Sequence, residues 1–545
     1  MRTQLTTGHL RPGTGQSGRS TNTIEEDCPL GRHYHANALY SIYPSELSRE
    51  RYLDKLVHDV SQSRYYVQMA VRSTGMDSSA DSVSSQTAPP RVRPSFIDLF
   101  AGCGGLSLGL MNAGWRGILA VEKCDLAFAT LKHNLIDGKD GTRPAFDWPD
   151  WLPREAQSVR SFGRKFASEI RTHLSDRVDL IAGGPPCQGF SLAGGRSPDD
   201  PRNLLWRDYL GIVEMIRPRL VLLENVNGIA IKHGRTRDLK SAPRRGRRRE
   251  PHAQRIGRAL ENRGYTVYHD LILAADYGVP QLRPRYLMAG LRIPPGTPRP
   301  EDIFDLLRCH REEFVATHGL RTDRYVSMKQ AISDLERTNG TYKGLDRDRF
   351  LFGLSSGPRT AYQRLMSSPG RKRPPDSHRF PNHTKLIVKR FRRMMRECPR
   401  GVKIRDAKLL GYGTHKLSFT ISDPDQPSHT LTTLPDDILH YSEPRILTVR
   451  EYARIQSFPD WFEFQGKYTT GGKLRTKECP RYTQAGNAVP PLLGEALGGV
   501  LADVLPLTVR EVWIPETSLT PATYAKLESV AESAKQSQPV GTPAA

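Results

Sequence analysis

The feature that most constrains this chain is a short apolar segment that enters a glycine-rich turn and continues into an apolar helix-forming segment. Residues 95–100 have the sequence Ser-Phe-Ile-Asp-Leu-Phe, typical of a buried strand, and residues 101–110 have the sequence Ala-Gly-Cys-Gly-Gly-Leu-Ser-Leu-Gly-Leu. A second apolar run at 117–121 follows and ends at Glu122. This order opens a Rossmann-like unit. We therefore predict an α/β fold with a doubly wound, mostly parallel sheet.

The same stretch predicts a site for a cofactor that contains adenosine. Glycines let the backbone approach a ligand, and a helix N-terminus offers unpaired N–H groups. Glu122 follows Gly102 by 20 residues, where an acid accepts hydrogen bonds from ribose hydroxyls. An ordinary turn with a surface glutamate remains the alternative, because Ser107 stands in the place of the third fingerprint glycine.

A second constrained segment places a cysteine after two prolines. The apolar run 178–182 is followed by Gly-Gly-Pro-Pro-Cys-Gln-Gly-Phe-Ser at 183–191. The prolines fix φ before Cys187 and the glycines permit a sharp turn, so we predict a thiol at the carboxyl end of a strand, where open α/β sheets bind ligands. A lone cysteine is more often inert core. The polar stretch 192–200 is predicted to move as a lid.

Charged side chains follow two further apolar runs. Glu224 comes directly after the apolar run 219–223, and Arg283 and Arg285 lie two residues apart in a predicted strand. That spacing predicts two guanidinium groups on one side, suited to a carboxylate and a polar ligand. An isolated glutamate here is more often the partner of a helix N-terminus, but Cys187 on a neighbouring strand favours a catalytic role.

The charge balance predicts a polyanionic partner. Lysine and arginine number 80 against 58 acidic residues, for a net charge of +22, which favours nucleic acid over an anionic membrane surface. A generally arginine-rich proteome is the alternative. The arginine run at 244–249 fits a solvated loop and a phosphate-contacting arm equally well.

Other classes of protein are disfavoured. No apolar run approaches the roughly 20 residues of a membrane span, and residues 1–5 lack the apolar core of a signal peptide. The seven cysteines form no CxxC pair, so we predict neither a zinc site nor a disulfide framework. An intracellular enzyme in a reducing compartment fits best.

Composition divides the chain into five segments. They are a polar extension with one helix from Ser45 and a serine-rich linker (1–93), the first part of a catalytic domain (94–299), an irregular basic domain (300–440), a segment that completes the catalytic domain (441–506) and a polar tail (507–545).

Taken together, the motifs resemble those of the C5-cytosine DNA methyltransferases, which transfer a methyl group from S-adenosylmethionine to carbon 5 of cytosine. The matching pieces are DLFAGCGGLSLG (98–109), GGPPCQGFS (183–191), ENV (224–226), QLRPR (281–285), RILTVREYARIQSFP (445–459) and GNAVPP (486–491). They follow the family's order from residue 95 to about 505. Each motif alone is weak to moderate, whereas the ordered set is very specific.

The resemblance implies roles for particular residues. Cys187 would be the nucleophile and Glu224 the acid at cytosine N3, while Arg285 would contact the base and Arg283 support the site. The residues implied to hold S-adenosylmethionine are Phe100, Ala101, Gly102, Gly104, Gly105, Leu106, Glu122, Asp147, Pro186, Asn487 and Val489; no metal is implied. Asp147 is our candidate for the family's third cofactor contact. Segment 300–440 would be the target-recognition domain, in which residues 430–433 resemble a threonine–leucine signature.

The implied partner is double-stranded DNA, bound by a monomer in the cytoplasm at the nucleoid, with a cognate restriction endonuclease acting on the same site. Two alternatives stay open: a tRNA cytosine methyltransferase of the same fold, and a DNA-binding protein without catalysis. The basic segment 300–440 favours DNA, because a sequence-reading enzyme needs such an area, and a protein that only binds has no use for Cys187, Glu224 and the arginines together.

Overall fold

A computed structural model gives the architecture of the greater part of the chain. The structure describes residues 93–138, 143–186, 204–229, 251–294, 296–344, 350–367, 374–405, 411–414, 418–470, 474 and 478–508. The predicted helix from Ser45, the segment from Cys187 to residue 200 and the arginine run 244–249 lie outside the described residues. The described part begins just before the first predicted strand.

A six-stranded sheet forms the centre of the molecule. Its region contains β1 (Ser95–Leu99), β2 (Arg116–Val121), β3 (Leu180–Gly183), β4 (Leu220–Asn225), β5 (Thr266–Leu273), a two-residue β6 (Gln281–Leu282) outside the main sheet, and β7 (Pro284–Leu291). The order is β2-β1-β3-β4-β7-β5, with β2, β1, β3 and β4 parallel and β7 antiparallel to both of its neighbours. Strand β1 is buried at every position, as expected when both faces are covered. The prediction of a doubly wound, mostly parallel α/β fold is confirmed.

Helices lie along the whole described chain. They are α1 (Gly105–Asn112), α2 (Asp125–Leu131), α3 (Val159–Lys165), α4 (Ala167–His173), α5 (Leu205–Ile216), α6 (His252–Glu261), α7 (Ile303–Cys309), α8 (Arg311–Thr317), α9 (Met328–Ile332), α10 (Ala361–Met366), α11 (Lys385–Glu397), α12 (Val449–Ile455), α13 (Arg481–Asn487) and α14 (Pro491–Val504). The predicted start of a helix after Thr448 is confirmed, because Thr448 and Glu451 form a reciprocal capping box there.

The last helices complete the core that the first strands begin. The Trp115 indole donates to the Gly498 carbonyl at 2.8 Å, across more than 380 residues of sequence. Helices α1 and α14 approach closely because glycine lies at their contact: a Cβ on Gly109 would come within 2.4 Å of the Pro491 carbonyl oxygen. The first motif (98–109) and the last motif (486–491) therefore contribute to the same hydrophobic core.

One apolar segment lies near the end of the described chain. The segment Arg481–Leu507 is long and apolar enough to span a membrane by length and composition. In the structure it is two helices, α13 and α14, separated before Pro491. Helix α14 is apolar on most of its surface because it packs against both α1 and α7, as a buried core helix does.

Segment 300–440 contains two structurally different parts. Its first part carries α7 to α10 and contributes side chains such as Phe304 and Met328 to the main core. The described residues of this segment also form the strands β8 (Thr341–Lys343), β9 (Leu351–Gly353), β10 (Lys403–Arg405), β11 (Ser418–Ile421), β12 (Ser428–His429) and β13 (Ile438–Leu439). A second, small core forms between α11 and the β10-β11-β13 sheet, and we name it the small core; it comprises Phe391, Met394, Ile404, Phe419, Ile421, Leu439 and Ile446.

Candidate active site

A left-handed turn connects β1 to α1. Phe100, Gly102 and Gly104 have φ of 61°, 58° and 94°, a region that glycine enters without strain. Ala101 N–H donates to the Val121 carbonyl at 3.1 Å, which ties the turn to the end of β2. A Cβ on Gly102 would have no atom within 4 Å, so this glycine borders open space. The turn therefore forms a cradle at the carboxyl edge of the sheet.

The neighbouring glycines serve packing. A Cβ on Gly104 would lie 2.8 Å from Leu135 Cδ1, and one on Gly105 would lie 2.3 Å from the Val489 carbonyl oxygen. These contacts bring the Val489 backbone to the start of α1. The Leu106 side chain is 4% exposed and belongs to the core, so the group it can offer a ligand is its backbone N–H.

Glu122 closes the cradle. Its Oε2 accepts from Gly102 N–H at 2.9 Å and its Oε1 from Cys124 N–H at 2.7 Å. Burial raises the pKa of Glu122, and the two backbone donors oppose that shift. Burial also raises the pKa of Asp98, behind the turn, to about 7, although the Ser107 hydroxyl donates to its Oδ2 at 2.5 Å. Both acids are thus held in a poorly solvated part of the fold.

Asp147 lies away from this cradle. Its N–H donates to the Gly117 carbonyl at 2.8 Å and its carboxylate pairs with Arg116 at 3.1 Å. Arg116 and Gly117 begin β2, whereas Glu122 follows its end, roughly 17 Å away along an extended strand. The assignment of Asp147 to the cofactor pocket is therefore corrected: a carboxylate at the amino edge of the sheet does not reach a ligand at the carboxyl edge.

Gln157 lies where Asp147 was expected. Its N–H donates to the Glu122 carbonyl at 2.8 Å. Its Oε1 is buried and has no hydrogen-bond partner among the residues that the structure describes. A buried amide oxygen without a partner is costly unless a ligand or water meets it. No sequence signal pointed to Gln157, since it lies in a loop and is not an acid.

Glu224 and Arg285 form a buried ion pair. Arg285 Nε lies 2.6 Å from Glu224 Oε1. The Arg285 side chain is 8% exposed and the Glu224 side chain is 13% exposed. Strands β4 and β7 are antiparallel neighbours with Glu224 opposite Leu287, so Arg285, two residues away, lies on the same face. The geometry fixes one carboxylate oxygen and leaves Oε2 on the other side of the group.

The turn that leads to Cys187 is held against this pair. Strands β3 and β4 are parallel, with Gly183 beside Leu223, so both end at the same edge. A Cβ on Gly184 would lie 3.0 Å from Glu224 Oε2. Asn225 Nδ2 donates to the Pro185 carbonyl at 3.1 Å. Asn225 was not among the predicted site residues, although an amide within the 224–226 motif could have indicated it.

Pro186 is the last described residue before Cys187, which lies outside the described residues.

Arg283 has a different role from Arg285. Its Nη1 donates to the Leu431 carbonyl at 3.1 Å, and its Nη2 donates to the carbonyls of Gly486 at 2.8 Å and Ala488 at 3.1 Å. The prediction that both guanidinium groups project from one side of a strand is corrected, because a tight turn from Gln281 to Arg283 interrupts the strand. Arg283 is a positioning residue that fastens two segments beside the site.

Two buried glutamines extend that arrangement. Gln281 Nε2 donates to Gln456 Oε1 at 2.8 Å, and Gln456 Nε2 donates to the Ala485 carbonyl at 2.6 Å. Gln281 Oε1 also accepts from Leu431 N–H at 2.8 Å. Asn487 follows in the same segment and its side chain is exposed at the end of α13. The amides thus hold the backbone from which Asn487 projects.

The described residues contain no group of three histidine, cysteine, aspartate or glutamate side chains that could hold a metal. The sheet, the cradle with Glu122 and the buried Glu224–Arg285 pair at the same edge are the features of an α/β enzyme that binds its ligands at the carboxyl ends of its strands.

Comparison with known proteins narrows this class. Residues 94–502 match the family model of the C-5 cytosine-specific DNA methylases, so the chain belongs to that family and is a DNA cytosine-5 methyltransferase, an enzyme that uses a methyl donor and acts on DNA.

Individual relatives agree with this placement. Type II methyltransferase M.DdeI of Desulfomicrobium norvegicum is 32% identical over 412 residues, which cover 74% of this chain and 87% of the relative. Type II methyltransferase M.XorII of Xanthomonas oryzae pv. oryzae is 30% identical over 435 residues, covering 76% and 85%. A solved structure from E. coli, described as a DNA modification methyltransferase encoded within a prophage, has a TM-score of 0.50 at 22% sequence identity. The match covers 76% of this chain and 99% of the other, and it shows a similarity in fold.

Proposed function

We propose that this enzyme moves a methyl group from S-adenosylmethionine to C5 of a cytosine that is rotated out of duplex DNA, through a covalent bond from Cys187 to C6. The observation that carries the proposal is the buried Glu224–Arg285 pair, 2.6 Å apart, beside the Pro185–Pro186 turn. A base stacked in a duplex does not reach such a pair, so the cytosine has to leave the helix.

The cradle suits the proposed cofactor. Gly102 borders open space, Glu122 presents a carboxylate there, and Gln157 adds a buried amide oxygen without a partner among the described residues. The carboxylate would accept from ribose hydroxyls, and the amide oxygen of Gln157 would accept from the adenine amino group. S-adenosylmethionine supplies a methyl group on a sulfonium, which an electron-rich carbon can attack.

The protein residues make cytosine C5 electron-rich. A Cys187 thiolate adding at C6 places two electrons in the ring, and a proton from Glu224 at N3 neutralises the charge that results. C5 then takes the methyl group, whose bond to the sulfonium sulfur breaks and leaves a neutral thioether. C5 loses its proton to solvent, the bond from C6 to the Cys187 sulfur breaks to release the thiolate, and N3 returns its proton to Glu224. Arg285 fixes Oε1 of Glu224, which orients Oε2 toward the base.

The wider setting follows from composition and relatives. The +22 charge supports binding to phosphates, and we propose segment 300–440 as the part that selects the target sequence. Because its relatives are type II methyltransferases, we propose a place in a restriction–modification system, with a cognate endonuclease and action as a monomer at the nucleoid in the cytoplasm.

Bisulfite sequencing of DNA from a host that expresses the enzyme tests this function. Cytosines in one short sequence context are expected to resist conversion, and the same host without the gene is expected to show none of that protection. Methylated cytosine in tRNA together with unmodified DNA would overturn the proposal in favour of the tRNA enzyme.

Gln157→Ala is expected to weaken cofactor binding by about 10-fold, because one buried hydrogen bond is worth roughly 1–1.5 kcal/mol. Titration calorimetry with S-adenosylmethionine on the enzyme without DNA measures this directly. Asp147→Asn is the control and is expected to bind normally, since Asp147 pairs with Arg116 at the other edge of the sheet. A loss with Asp147→Asn and none with Gln157→Ala would contradict the assignment.

A further inference from the structure

Helix α11 carries a line of basic side chains that the chemistry above does not use. Lys385, Lys389, Arg392 and Arg396 are all exposed. Their spacing of four, three and four residues places them within an arc of about 60° around a helix of 3.6 residues per turn. The line is roughly 17 Å long at 1.5 Å per residue. We call these four residues the basic stripe.

The opposite face of α11 fixes how the stripe is presented. Phe391 and Met394 are 8% and 1% exposed and belong to the small core, where Phe391 stacks on Phe419 with ring centroids 6.0 Å apart. Ile387 packs against the same core. Because that face is occupied, the helix cannot rotate and the stripe points away from the protein.

The positive charges of the stripe repel one another, and the described structure offsets this repulsion only at Arg396, since Arg393 and, less strongly, Arg396 attract Glu397 and lower its pKa. Helix α11 contains six basic residues and one acid, Glu397, which pairs with Arg393 at 3.0 Å. Within the described part of the chain, no ion pair involves a stripe residue. Like charges four residues apart repel, and Lys385 in the first turn opposes the helix dipole. A helix of this kind gains stability when an anion lies along it.

The burial of the apolar face of α11 also indicates which class of polyanion the basic stripe binds. A basic helix that binds a membrane surface buries its apolar face in the lipid. In α11 that face already lies in the small core, and Leu386, at 69% exposure, is the exposed large apolar residue within the helix. A phosphate backbone needs cations along a line and no apolar face, so duplex DNA fits the stripe better.

The small core is also attached beside the active site. Strand β12 pairs with β6, directly before Arg283, and Arg283 holds the Leu431 carbonyl at 3.1 Å. His429 in β12 bonds to the Gly401 carbonyl at 2.7 Å, which links this strand to the sheet of the small core. The part of the protein that carries α11 is therefore attached to the segment that contains Arg283, beside the active site.

We propose that the basic stripe of α11 lies along one phosphate backbone of the DNA and holds the duplex without reading its sequence. This inference rests on the proposed function. Phosphates follow one another about every 3.4 Å along the axis of each strand, so a line of roughly 17 Å spans about five of them. The stripe thus contributes affinity and salt dependence, and target choice belongs to other residues of segment 300–440.

The test is the salt dependence of DNA binding by the full chain, measured with a fluorescent duplex that contains the methylated site. Lys389→Gln with Arg392→Gln is expected to lower the slope of log Kd against log salt by about 1.8, at about 0.9 per lost phosphate contact. The loss of affinity is expected to be equal on a duplex without the site, and bisulfite sequencing is expected to show the same target sequence.

Two further variants separate charge from structure. Arg164→Gln with Lys165→Gln removes the same charge from the exposed last turn of α3 and is expected to leave the slope unchanged. Lys389→Arg with Arg392→Lys retains the charge and is expected to keep the slope of the original enzyme.

The outcomes distinguish the stripe from the function on which it rests. A normal slope in the double variant Lys389→Gln with Arg392→Gln, in an enzyme that still methylates DNA, would overturn the role of the stripe and leave the proposed function intact. Absence of DNA methylation in the unsubstituted enzyme would refute the function itself.

Discussion

Cys187→Ala is expected to abolish methyl transfer while the enzyme still binds S-adenosylmethionine. Without the thiol nothing adds at C6, and C5 of an intact cytosine ring is a poor nucleophile. The rate is expected to fall by on the order of 10⁴ or more, as when a covalent nucleophile is removed from another enzyme. Transfer of tritiated methyl groups to DNA measures the loss, and calorimetry measures cofactor binding. Cofactor affinity is expected to persist, because Gly102 and Glu122, which form the cradle, are unchanged in this variant.

A matched control removes a different thiol from the same protein. Cys309 is exposed at the end of α7, so Cys309→Ala is expected to leave the rate and the cofactor affinity unchanged. Covalent trapping gives a second readout, with a duplex that carries 5-fluorocytosine at the target. This base lacks the C5 proton that must leave, so the covalent complex cannot break down. The complex is expected with the original enzyme and with Cys309→Ala, and is not expected with Cys187→Ala. A trapped complex in Cys187→Ala would show that another nucleophile attacks the base.

Much of the fold could be predicted because local sequence and long-range structure agree along the first half of the sheet. The apolar runs at 95–99 and 220–223 are short, continuous and followed by turn residues or an acid, as buried parallel strands usually are. Segment 300–440 was harder, because its elements are short. Its first helices joined the main core through Phe304 and Met328, contacts that no local pattern reveals.

In the candidate site, too, some residues could be predicted from local sequence and others could not. Glu224 and Arg285 stand at strand ends, where side-chain direction follows from the strand, and the structure brings them to 2.6 Å. The direction of the Arg283 side chain could not be predicted in this way, because the chain turns at Arg283. Its guanidinium therefore donates hydrogen bonds to backbone carbonyls from two distant segments. Asp147 was predicted and Gln157 was missed because both follow β2 in the sequence. The edge of the sheet that each residue reaches depends on the path of the loop between them, which the sequence does not reveal.

Glu224→Gln is expected to slow the chemical step by about 10² to 10⁴ while DNA affinity stays within a few fold. Glutamine has the same shape and its amide can still donate to cytosine N3, but it has no proton to transfer as charge develops on the ring. The loss is therefore specific to the transition state. Single-turnover methylation measures the rate, and fluorescence anisotropy with the same duplex measures affinity.

The Glu224→Gln variant also leaves the buried Arg285 guanidinium without its counter-charge, so the test must separate a loss of chemistry from a loss of stability. If that ion pair mainly held the fold, Glu224→Gln would lower the midpoint of thermal unfolding and DNA affinity together with the rate. Glu214→Gln is the matched control: it breaks the exposed pair with Arg263, 3.2 Å apart, and is expected to change none of the three quantities. A rate that falls in Glu224→Gln with affinity nearly unchanged assigns the carboxyl group to the reaction. Equal losses in rate and affinity would instead assign it to base binding, because a group that only holds the flipped cytosine acts alike on ground and transition states.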